Sequence, residues 1–76
     1  MNGLFDVLAQ DGTIYTAAVG SDGRWYAAPN IDVTGGLYLG VRVIDQNAHP
    51  VKRNGCDCYR QGDDIYLFDG THLHKQ

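Results

Sequence analysis

Leu37-Tyr38-Leu39-Gly40-Val41-Arg42-Val43-Ile44 reads as the clearest β-strand in the chain. Apolar residues recur at period two, which places Leu37, Leu39, Val41 and Val43 on one face. Tyr38, Gly40, Arg42 and Ile44 fall on the other. A glycine in mid-strand marks a bulge, a sharp bend or a close backbone approach, so Gly40 is expected to interrupt the ladder. In a small barrel such a bend helps the sheet to close.

Upstream, Gly35-Gly36 precedes this strand and residues 31–33 form a short extended piece. Residues 24–28 carry Trp25 and Tyr26, and Pro29 ends that run or puts it at a sheet edge. Residues 13–19 begin with the β-formers Thr13, Ile14 and Tyr15. Residues 4–9 place Phe5, Val7 and Ala9 on one face. Downstream, residues 45–50 form a polar loop and Asn54-Gly55 is a turn pair. Residues 56–61 and 64–68 pair across Gly62-Asp63, and residues 71–75 supply a last strand. Three Asp-Gly pairs, Asp11-Gly12, Asp22-Gly23 and Asp69-Gly70, punctuate these runs. Glycine supplies the positive φ that tight hairpins require. Their flanks do not repeat, so they read as turn chemistry and not as an internal repeat.

Composition agrees. Of 76 residues, ten are Gly, and all nine acidic residues are Asp. Glu, Lys and Arg fill exposed helix faces; here Glu is missing and Asp prefers caps and turns. Long surface helices are therefore excluded. Apolar content of 43% and aromatic content of 11% exclude a disordered chain. The expected fold is one small all-β domain over residues 1–76. It is a compact barrel or a strongly bent antiparallel sheet of about six to eight short strands joined by Asp-Gly hairpins. Such a chain is hard pressed to protect its edge strands, and a symmetric dimer pairing two edges is one solution. No secretory n-region, signal core or membrane span is read. The expected compartment is the cytoplasm, where Cys56 and Cys58 stay reduced. A short reading frame of this kind would suit an accessory gene of a phage or other mobile element.

Cys56-Asp57-Cys58 and His72-Leu73-His74 each place two soft ligands at i and i+2, on one face of a strand. If the two strands neighbour each other, Cys56, Cys58, His72 and His74 compose a Cys₂His₂ set of the kind zinc takes, with His49 as a spare. One residue between the paired Cys is, however, shorter than the two to four of structural zinc sites. Their Cβ atoms also stand too far apart in an extended strand for a disulfide. Cys58 with either histidine supplies the minimum pair for nucleophilic catalysis. No oxyanion nest accompanies it, so binding is expected rather than enzymatic activity. No phosphate-binding glycine motif or EF-hand loop is present.

The net charge is −3. Residues 42–60 run against it, with Arg42, Lys52, Arg53 and Arg60 opposing Asp45 and Asp57. That basic stretch beside Tyr59 is the smallest footprint of a single-stranded nucleic-acid binder, in which bases stack on aromatics. The acidic balance of the whole chain opposes it. Trp25 and Tyr26 face opposite ways, so the aromatics cannot all enter one small core. Exposed Trp, Tyr and Arg are the usual anchors of protein interfaces. Trp25, Tyr26, Tyr38, Arg42 and Tyr59 are therefore the expected contact surface for a protein partner or a second copy of the chain. The zinc site and the nucleic-acid surface are the alternatives.

Overall fold

The computed structural model describes residues 3–29, 31–44 and 51–76. The expected loop at 45–50, with His49, lies outside them. The described residues form nine strands and no helix: β1 (Gly3–Leu8), β2 (Ile14–Val19), β3 (Trp25–Ala27), β4 (Ile31–Asp32), β5 (Leu37–Ile44), β6 (Val51–Arg53), β7 (Cys56–Gln61), β8 (Asp64–Phe68) and β9 (Leu73–Lys75). They build two antiparallel sheets, ordered β4-β3-β2-β1-β5 and β6-β7-β8-β9. The closed barrel expected as one alternative is therefore replaced by a pair of sheets. β6 was not anticipated. Asn54 and Gly55 both take positive φ, 53° and 81°, and their two-residue loop folds Val51–Arg53 back on β7 so that Arg53 faces Cys56.

Two register shifts break the alternation expected for β5. Leu4 and Phe5 pair with Val43 and Val41, and Asp6 and Val7 pair with Gly40 and Tyr38. Arg42 and Leu39 are the extra residues. Gly40, at φ 148°, sits beside the second shift, and a Cβ built on it would meet nothing within 4 Å. The backbone bend is thus what requires glycine here, not a close approach. Partners in an antiparallel ladder share a face. Leu37 therefore lies with Leu8, whereas Tyr38 and Val41 lie on the opposite face with Val7 and Phe5. The expected single stripe of Leu37, Leu39 and Val41 does not exist.

The five-stranded sheet curls. Its edge strands β4 and β5 are about 19 Å apart in a flat sheet at ordinary strand spacing. Residues 33–36 alone connect them, a span of at most about 17 Å. Those residues also turn, because the Gly36 amide donates to the Val33 carbonyl at 3.0 Å. The curl brings Trp25 of β3 to within 6.4 Å of Tyr38 of β5, between ring centroids. Inside it lie Phe5, Val7, Ala17, Ala27 and Val33, all at most 5% exposed. Gly36 closes this space so tightly that a Cβ there would fall 2.7 Å from Val7 Cγ2.

The opposite face of β1–β3 packs on the second sheet. Leu4, Ala18, Tyr59, Tyr66, Phe68 and Leu73 form that core, with Tyr26 and Ala28 against it. The Ser21 amide donates to the Gly70 carbonyl at 3.0 Å and ties a loop of one sheet to a loop of the other.

Candidate functional site

Sequence reasoning gathered five residues into one contact surface; the fold divides them. Tyr59 is 6% exposed in the inter-sheet core and does not belong to a surface. Tyr26 leans on the same core, its ring 6.5 Å from Phe68, and its hydroxyl donates to Asp22 at 2.6 Å. Trp25 and Tyr38 do come together. Phe5 sits between them, edge-on to Trp25 at 5.1 Å and tilted against Tyr38 at 5.4 Å. Tyr38 remains 43% exposed and Trp25 half-buried. Arg42 stands on the same strand as Tyr38, its Nε 2.6 Å from Asp6 Oδ1.

The apolar exposure around this trio was hidden from sequence by the register shifts. On β5, which ends its sheet, Leu37, Leu39 and Val41 are 60%, 47% and 44% exposed. Ile14, across β1 from Leu37 and sharing Leu8 as ladder partner, is 59% exposed. Val19, the ladder partner of Trp25, is also exposed. Every exposed large apolar side chain among the described residues belongs to the five-stranded sheet. Residues 37–41 carry no charge. Exposed apolar area concentrated along a terminal strand is the usual mark of a pairing or docking edge.

The Cys and His residues do not assemble into a metal site. All four lie on the outer face of the four-stranded sheet, yet Cys58 pairs with Leu67 and Leu67 with His74. β8 therefore stands between them and sets the two backbones about 9.6 Å apart. Among the described residues no group of three or more His, Cys, Asp or Glu could hold a metal ion. His72 instead stacks on His74, planes 6° apart, with its Nδ1 3.1 Å from Asp69 Oδ2. The same alternation separates the residues of the nucleic-acid footprint. Arg53 and Arg60 face outward while Tyr59, the aromatic meant to stack with bases, faces the core. Lys52 is held by Asp57, its ladder partner.

One local motif escaped the sequence reading, which found no repetition around the Asp-Gly pairs. Asp11-Gly12-Thr13-Ile14-Tyr15 and Asp22-Gly23-Arg24-Trp25-Tyr26 share Asp-Gly-Xaa-Xaa-Tyr and one geometry. Asp11 accepts from the Thr13 amide at 2.8 Å and the Tyr15 hydroxyl at 2.9 Å. Asp22 accepts from the Arg24 amide at 3.0 Å and the Tyr26 hydroxyl. Gly12 and Gly23 take φ of 83° and 82°. The four-residue step from Asp to Tyr is legible in the sequence once it is sought. These bonds favour the ionised carboxylates and hold both below the usual range, the Thr13 amide leading at Asp11 and the Tyr26 hydroxyl at Asp22.

No family model, no curated protein and no solved structure matches the chain. Among the described residues no helix is long and apolar enough to cross a membrane.

Proposed function

We propose that the protein is a small cytoplasmic interaction module that binds another polypeptide along the exposed end of β5. The observation that carries this reading is the concentration of Leu37, Tyr38, Leu39 and Val41, each at least 43% exposed, on the terminal strand of a sheet. An extended segment laid beside β5 would extend the sheet by backbone hydrogen bonds, and its apolar side chains would cover these four. Trp25 and Tyr38 would supply rigid aromatic anchors at little entropic cost. The segment best suited is β5 of a second copy. Residues 37–41 are uncharged, so two copies laid antiparallel meet without opposing like charges. The binding unit on this reading is a homodimer, and no step of catalysis is assigned to it.

Native mass spectrometry with hydrogen–deuterium exchange tests the reading. The expected result is a dimer in which the amides of residues 37–41 are protected, and in which Leu39→Lys gives a folded monomer with those amides exchanging freely. A chain that stays monomeric at high concentration would overturn the self-pairing. A dimer that leaves residues 37–41 exchanging would place the interface elsewhere and overturn the assignment of β5.

A further inference from the structure

A cleft of about 250 Å³ opens between the β1–β2 loop and the connection from β4 to β5. Its walls are of two kinds. Ile31, Val33 and the side of Tyr15 form an apolar flank, and Asp11, Asp32 and Thr34 supply oxygen. Among the described residues no Lys or Arg lines it. The two carboxylates differ in what neutralises them. Asp32 is matched by Arg24, whose Nε lies 2.6 Å away. Asp11 accepts from the Thr13 amide and the Tyr15 hydroxyl, and no cation is among its described partners. The Tyr15–Asp11 bond places the Tyr15 hydroxyl at the carboxylate that lines the cleft. A cleft lined in equal part by polar and apolar groups, with a carboxylate that no described cation balances, matches a ligand with an alkyl stem and a cationic head. Such a group keeps its methylenes on apolar surface while its charge meets an acceptor, and the aromatic wall is favourable to a cation as well.

We infer that this cleft is a binding site for a primary alkylammonium group, with Asp11 accepting from the ammonium and Ile31 and Tyr15 flanking the stem. The same chemistry is presented by the side chain of a lysine in another polypeptide and by a free polyamine. The inference rests on the cleft alone and is independent of β5.

The repeated Asp-Gly-Xaa-Xaa-Tyr motif provides the control. Asp22 makes the same turn and the same tyrosine bond as Asp11 but does not line the cleft. The experiment is an NMR titration of the full chain with n-butylammonium, with spermidine and with a blocked Gly-Lys-Gly peptide. The amides of Thr13, Tyr15 and Thr34 are followed at low salt. The expected result is a saturable shift of these amides that weakens with added salt. Asp11→Asn keeps an acceptor oxygen for the turn but removes the charge, and it should weaken binding at least about tenfold. Asp22→Asn, with the same local lesion, should leave binding unchanged. Binding of all three probes supports a general alkylammonium site, and binding of the peptide alone supports a lysine side chain as the source. The inference is overturned if none of the probes shifts these amides, or if Asp11→Asn binds as the parent does. It also fails if Asp22→Asn weakens binding equally, since the effect would then belong to the turn.

Discussion

At Asp69 one carboxylate organises a whole loop. It accepts from the Thr71 amide at 2.9 Å and the His72 amide at 2.7 Å, and His72 Nδ1 lies beside it. The Thr71 amide contributes most, the His72 groups follow, and together they bring its pKa to about 2. Asp32 also falls to about 2, held by Thr34 through hydroxyl and amide and then by Arg24. Both folded-state values lie below the ordinary 3.8, so the native state favours the ionised form. Their contribution is complete above the unfolded-state value and is lost as pH falls through the folded one. Thermal melts should therefore show stability dropping between about pH 4 and pH 2. Asp69→Asn should be less stable than the parent at neutral pH and show a shallower drop across that window. An unchanged acid slope would mean that Asp69 contributes nothing to it. The same loop accepts the Ser21 amide at Gly70, so a local protonation acts on the joint between the sheets.

β5 shows what an element needs beyond pattern. Its existence and limits follow from the period-two run at 37–44, and Gly40 flags its irregularity. Which face each side chain takes depends on two extra residues, Leu39 and Arg42, and those are properties of the pairing with β1. No periodicity in β5 alone contains them. The same reason hid the division of the aromatics. That Trp25 and Tyr26 face opposite ways is legible, but that the Tyr26 side meets the second sheet while the Trp25 side meets Tyr38 is set by contacts between distant segments. β6 was missed because Val51, Lys52 and Arg53 are too few to alternate, and only the Asn54-Gly55 loop makes them a strand. The role of Gly40 can be isolated. The space about it is open, so Gly40→Ala introduces no clash and only asks alanine to hold a positive φ. Urea unfolding should show a loss of about 1–3 kcal/mol with an unchanged m-value. A neutral or stabilising result would mean that the bend relaxes freely and that the exposure of residues 37–41 is not fixed by it.

In the whole molecule, three strands serve two cores at once. Along β1, Leu4 enters the inter-sheet core while Phe5 and Val7 enter the curl of the five-stranded sheet. In β2, Ala18 and Ala17 divide the same way, and in β3, Tyr26 and Trp25. A chain of this size buries only about 60% of its unfolded surface, and the buried residues of the four-stranded sheet, Tyr59, Tyr66, Phe68 and Leu73, all lie in the core it shares with its neighbour. If the four-stranded sheet came away, Leu4 and Ala18 would lose their cover while the backbone holding Phe5 and Ala17 loosened. The two sheets should therefore unfold as one unit. Leu73 is fully buried in the inter-sheet core and lies in β9, whereas the single tryptophan, Trp25, reports from the other sheet. Leu73→Ala should cost about 2–5 kcal/mol, a large share of the roughly 5–15 kcal/mol of a typical domain. The loss should appear in full in the Trp25 emission transition, which should coincide with the far-ultraviolet circular dichroism transition. Leu73→Met, which conserves volume, should cost less than about 1.5 kcal/mol and keeps the comparison available if the alanine variant does not fold. A Trp25 transition that stays in place while the dichroism transition moves would show that the curled sheet stands without its neighbour, and β1–β3 would then not couple the two.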